Sequence, residues 1–158
     1  IVILIIAVLL AVALPQLVGS RDAGLDSAAK QQLNNAYTEL SAKTLTTESS
    51  PADAAAASSS IKTIEFVGES VAGGKQANST TNTRAVSYKR VGTQGFILAV
   101  AGSGTNCWAL RVDPAETNKP MAYLGKKTVT TCSANYASTL AVSSTDWEQF
   151  GFPSEAKP

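Results

Sequence analysis

The chain has 158 residues, with 13 basic and 12 acidic side chains, no histidine, and 44% hydrophobic residues. That length holds one long N-terminal helix and one globular domain, but hardly two full domains. Balanced charge without a Lys/Arg cluster argues against a nucleic-acid footprint, so DNA binding is left open rather than predicted. The absence of histidine removes the commonest general base.

Residues 1–14, IVILIIAVLLAVAL, carry no polar side chain, and Pro15 closes the run. As a helix they span roughly 21 Å, against about 30 Å for a bilayer's hydrocarbon core, so a complete anchor needs further apolar residues before Ile1. The basic flank and cleavage site of a secretory signal are absent, and Leu17 and Val18 lead on into a helical pattern. The segment is expected to be retained and hidden, in lipid or against copies of the chain. Burial within the chain's own core is the alternative. The isoleucine start predicts a processed or incompletely represented N terminus.

Leu25, Ala29, Leu33, Ala36 and Leu40 recur at steps of three and four, which places them on one helical stripe. Asp26–Lys30 and Glu39–Lys43 are acid-then-base pairs four apart, a favourable order on an exposed helix face. The run is expected to end near Ala42, where Thr44, Thr46 and Thr47 weaken it. Pro15 removes a backbone donor and clashes with the preceding turn, so a bend or melted turn is expected there, with Gly19 adding freedom. The organisation predicted is a helix over 1–42, divided into a membrane or filament part (1–20) and an amphipathic part (21–42), followed by a head over 43–158.

In the head, residues 44–60 read as a Ser/Thr/Ala-rich linker with a possible helical turn at 54–57. Ile61, Ile64, Phe66 and Val67 suggest a first strand. Further strands are expected over 85–91, 96–101 and 107–112, with turns at 92–95 and 102–106, and a last strand over 127–132. Trp147, Phe150 and Phe152 suggest a hydrophobic clasp over the sheet edge, and both tryptophans read as core. Cys107 and Cys132 are the only cysteines. An exported context favours their disulfide over two reduced core thiols.

No metalloprotease, dinucleotide, P-loop or nucleophile-elbow motif occurs, so no catalytic residue, cofactor or metal is predicted. Asp113, Glu116, Asp146 and Glu148 read as loop and surface charges, and Gly102-Ser103-Gly104 lacks the lysine and helix of a phosphate cradle. Asn78-Ser79-Thr80 satisfies the N-glycosylation sequon, and Ser79 and Thr80 also offer O-linked sites.

Residues 1–40, IVILIIAVLLAVALPQLVGSRDAGLDSAAKQQLNNAYTEL, resemble the N-terminal helix of bacterial type IV pilins and the related pseudopilins of type II secretion. In that family an apolar run ends in Ala-Leu/Ile-Pro and enters a helix of small residues and mixed charge with an Asn-Ala pair. Ala13-Leu14-Pro15 and Asn35-Ala36 supply those elements here, and the match covers about a quarter of the chain. The resemblance implies an α+β pilin fold, a long bent N-terminal helix packed on an antiparallel β-sheet head. It implies leader removal by a prepilin peptidase, N-terminal methylation, and residence in the inner or cytoplasmic membrane before assembly. The family's mature chain normally starts a few residues earlier and includes there an acidic residue that neutralises a neighbouring subunit's terminal amine. The implied partners are further copies of the chain, the pilus assembly machinery and minor pilins.

On this reading Ile1, Ile3, Ile5, Val8, Leu9, Val12 and Leu14 form the filament core. Pro15 and Gly19 make a melting joint, and Leu25, Ala29, Leu33 and Leu40 hold the head. The expected function is a structural, non-enzymatic pilus subunit at the cell surface, serving adhesion, twitching motility or DNA uptake. A secretion pseudopilin and a membrane-anchored enzyme or binding domain are the other readings. The Ser/Thr-rich surface favours a long exposed filament over a pseudopilin.

Overall fold

The structure, a computed structural model, describes residues 2–68, 85–117, 119–126, 129, 132–141, 145–149 and 151–158. Within 2–20 it describes the side chains of Ile3 and Ile6. The architecture is α+β. A single helix, α1, runs from Val2 to Thr47 and spans roughly 70 Å at the standard rise per residue. The helix runs on through Pro15 and Gly19, where a bend or melted turn is expected. Proline removes one hydrogen bond from the ladder, while cooperative propagation maintains the turns on either side.

The helix also outruns its expected end at Ala42. The Thr46 and Thr47 hydroxyls donate to the Lys43 carbonyl at 2.8 and 2.9 Å, and Thr44 is buried, so the helix accommodates the threonines rather than ending before them. Termination comes at Glu48, whose φ of 56° is left-handed. The stretch read as a linker contains α2, Ala54–Ser60, started by Asp53, whose carboxylate accepts from the Ala56 N–H at 2.8 Å.

Among the described residues six strands follow: β1 (Glu65–Val67), β2 (Ala85–Val91), β3 (Gly95–Ala101), β4 (Cys107–Val112), β5 (Met121–Lys126) and β6 (Trp147–Glu148). A short helix, α3 (Ala134–Thr139), lies between β5 and β6. Spatial order equals sequence order, and every pairing is antiparallel except β1 with β2. The sheet is therefore mixed and not wholly antiparallel as expected. The long connection between Val67 and Ala85 accounts for this, because a parallel pair needs a crossover where a hairpin needs only a tight turn.

Among the described residues the last long strand is β5, ahead of the predicted 127–132, of which 127, 128, 130 and 131 lie outside the described residues. Packing explains why β5 was not expected at 121–126. Trp108 lies opposite Gly125 in the β4–β5 register, and a Cβ at Gly125 would collide with the indole ring. The strand carries small residues because a tryptophan lies across it, and that lowers its apparent strand propensity.

Alternation along the strands builds two cores. On one face, Val86, Tyr88, Phe96, Leu98, Val100 and Trp108 pack with Ala29, Leu33, Ala36 and Leu40 of α1 and Ala54 and Ala57 of α2. On the other, Ile97, Ala99, Cys107, Ala109, Ala122 and Leu124 pack with Ala134 and Ala137 of α3 and with Trp147. The Cys107–Cys132 disulfide ties β4 to the residue before the α3 cap, Ser133, whose hydroxyl accepts from the Tyr136 N–H at 3.1 Å.

The two edges of the sheet are finished differently. The Ser58 hydroxyl of α2 donates to the Phe66 carbonyl at 2.9 Å and accepts from the Phe66 N–H at 2.8 Å, so a side chain occupies backbone groups that another strand could pair with. At the opposite edge, β6 adds to β5, and the Lys157 N–H donates to the Gly125 carbonyl at 2.8 Å. The clasp read at 145–152 takes this form: Trp147 is buried in β6, while Phe152 meets Trp108 and Tyr123 edge-on, at 6.1 and 4.9 Å between centroids. Phe150 lies outside the described residues.

Candidate assembly site

The helical stripe read from the sequence divides at Asp26. Ala29, Leu33, Ala36 and Leu40 are buried against the sheet, with Tyr37 partly buried beside them, its ring 6.4 Å from Phe96. Leu25, on the same stripe, is 43% exposed and lies outside the buried cluster. The reason is local: residues 21–25 are all exposed, so the helix has left the sheet by this turn.

Upstream, Ile3 is 84% exposed and Ile6 is 51% exposed, at the head of a segment without a polar side chain. Ile5, Val8, Leu9, Val12 and Leu14 lie on the same helix, but their side chains are outside the described residues, as is all of Ile1. Among the described residues no helix is long and apolar enough to cross a membrane. Near the other end of α1, Leu45 is 82% exposed and borders a cleft of about 430 Å³ walled by Tyr37, Phe96, Val112 and Pro114.

Two charged side chains mark the boundary between the docked and undocked parts of α1. Asp26 and Lys30 satisfy the four-residue pairing rule, yet each takes partners on the head. Asp26 accepts from the Ser103 N–H at 2.6 Å and from the Asn106 side-chain amide at 2.9 Å, both in the β3–β4 loop. Lys30 donates to the carbonyls of Pro153 and Ser154 at 3.0 and 3.4 Å, and its ammonium stands 3.9 Å from the centroid of the Trp108 ring. Glu39 likewise accepts from the Thr63 hydroxyl at 2.8 Å.

Burial alone would raise the Asp26 pKa. Hydrogen-bond donation from Ser103 and Asn106, with the nearby Trp108 indole N–H, outweighs burial and holds the carboxyl below its ordinary value. The indole N–H faces this charge without reaching full hydrogen-bond geometry.

The remaining candidates are structural. Asp113 pairs with Arg111 at 2.8 Å, Asp146 with Lys126 at 3.1 Å and Glu148 with Lys157 at 2.9 Å. Among the described residues no group of three potential ligands is arranged for a metal ion. Gly102 and Ser103 approach the Asp26 carboxylate, where a phosphate cradle would present its donors to a ligand. Asn78, Ser79 and Thr80 lie outside the described residues.

Sequence reasoning missed the Asp26–Lys30 contacts with the head. The available signal was the glycine and hydrogen-bonding residues at 102–106, read only as a turn. No protein-family model, no curated protein and no solved structure matches this chain.

Proposed function

We propose that this chain is a structural subunit of a type IV pilus, with a pilin fold, and polymerises into an extracellular helical filament. The observation that carries this reading is the division of α1, with its inner stripe buried against the sheet and an apolar outer end bearing exposed Ile3 and Ile6. Apolar surface of that extent demands cover. Before assembly the cover is lipid; in the filament it is the same segment of neighbouring copies.

Burial is worth about 25 cal/mol per Å² relative to water. The gain over lipid is smaller, so close packing and charge pairing have to select the neighbour. In the filament, Pro15 and Gly19 are the place where the helix unwinds under tension, since Pro15 already lacks one ladder bond. The role is structural and no catalysis is assigned to it. The occupied backbone groups of the β1 edge support it as well, because they turn self-association at that edge away from strand pairing.

The test is electron microscopy of cells expressing the chain, with mass spectrometry of the purified subunit. Long filaments of this chain are expected, and Leu9→Ser abolishes them while the head keeps its unfolding midpoint. Short filaments formed only on overexpression would favour the pseudopilin reading. Solitary monomers with the apolar end folded into their own core would overturn both.

A further inference from the structure

The head's hold on α1 stops within a single turn. Residues 21–25 are exposed, Asp26 is half-buried and Ala29 is the first buried residue of the inner stripe. At this turn Asp26 joins the β3–β4 loop, and one turn later Lys30 joins the C-terminal tail and caps the Trp108 ring. Gly102 is fitted to the contact: a Cβ there would collide with Asp26 Oδ1 and the Trp108 indole nitrogen. A cleft of about 510 Å³ surrounds the turn. The charged groups facing it are Asp22, Asp26 and Lys30 from α1 and Glu155 from the tail, and the loop contributes Ser103 and Asn106.

We propose that Asp26 and Lys30 form a latch at which the head's grip on α1 ends, so that the helix upstream bends or unwinds separately while residues 29–40 stay docked. Unwinding spreads along a helix turn by turn, and it stops where residues are held by more than helical hydrogen bonds. Asp26 provides charge-assisted bonds and Lys30 provides both carbonyl bonds and a ring contact. Because the Asp26 carboxyl is held below its ordinary value, the latch is closed at neutral pH. It opens as the pH falls through that lowered value. The latch goes beyond the filament reading and acts in a single chain, so its failure would leave filament formation untouched.

Hydrogen exchange on the full chain in detergent micelles tests it. In the wild type, amides of residues 29–36 are expected to exchange at least about tenfold more slowly than those of residues 21–25. Asp26→Ala carries fast exchange inward, raising it for residues 27–32 by about tenfold to a hundredfold, the scale of a lost charge-assisted bond. The amides of β5 stay unchanged. In a Trp147→Phe background the Trp108 indole N–H resonance follows a titration below the usual carboxylate range, and Asp26→Asn abolishes that titration.

No step in protection near residue 26, wild-type exchange in Asp26→Ala, or an indole resonance indifferent to pH would each overturn the latch. So would loss of protection in β5 in Asp26→Ala, because that describes a general stabiliser rather than a local stop.

Discussion

Downstream of Asp26, α1 alternates small and large apolar residues on one stripe and polar residues on the rest, and its stripe is buried on the sheet. Upstream of Pro15 the same helix is apolar all round, and Ile3 and Ile6 are exposed. The inner half carries the pattern of a helix with one partner; the outer half carries the pattern of a helix surrounded by partners. One element therefore belongs to two different cores, of which the single chain completes one. The proposed filament supplies the other.

The largest effect expected on the inner half comes from Leu33→Ala. Leu33 is fully buried between α1 and the sheet, and the cavity should cost the head about 2–5 kcal/mol, read from urea unfolding. A cost below about 1 kcal/mol would mean that the docked stripe is not what holds the head to its helix.

Removing the disulfide with Cys107→Ala and Cys132→Ala acts on the opposite face of the sheet. It should cost about 2–4 kcal/mol, with α3 losing amide protection first. Because Ser87 Oγ also accepts from the Ala134 N–H at 3.0 Å, and Lys89 holds Asn135 and Ser138, α3 should remain partly attached. The α1 face should keep its Trp108 signal, and losing both faces together would show that docking of the inner half depends on the covalent staple.

The tertiary ties of α1 were the least legible part of the sequence. β2, β3 and β4 could be read nearly to the residue because glycine-bearing turns bracket short apolar runs, with partial alternation in β2. β5 was hidden by its own packing: Gly125 and Ala122 read as weak strand formers, whereas residues 127–132 are richer in β-branched side chains. Asp26 and Lys30 match a surface pair by spacing, and nothing local announces that a loop some eighty residues away supplies better donors. Periodicity reports which way a side chain faces along its own helix, but carries no record of a distant partner that competes for it. Leu25 shows the same limit from the other side, since the stripe continues in sequence after the sheet has ended in space.

A smaller effect is expected at Tyr88, beneath the docked half. Its ring stacks on Phe96, and its hydroxyl donates to the Pro51 carbonyl at 2.7 Å. Burial pushes the phenol up to about 12, with Arg90 opposing and Asp53 reinforcing the rise. Its pKa in the fold thus lies above the unfolded value of about 10. The corresponding stability is complete below about pH 10 and is lost as the pH climbs toward the folded value. Tyr88→Phe should cost about 1 kcal/mol at neutral pH and remove most of the decline between those limits. Burial also raises the Tyr123 pKa, with Tyr37 adding to it, and leaves a lesser remainder. An undiminished alkaline decline in Tyr88→Phe would move its origin away from the α1 face.

The smallest effect on the head separates the two halves of α1 most sharply. Ile6 is half-exposed well beyond the end of the docked stripe. Ile6→Ser should therefore shift the head's unfolding free energy by no more than about 0.5 kcal/mol, the range of substitutions remote from any packed feature. Each filament contact repeats in every subunit, so a change nearly invisible in the monomer is multiplied along a polymer. Filament yield should collapse while urea unfolding stays at the wild-type midpoint. If Ile6→Ser instead destabilised the head as Leu33→Ala does, the outer half would have a partner within its own chain, and the division of α1 at Asp26 would not exist.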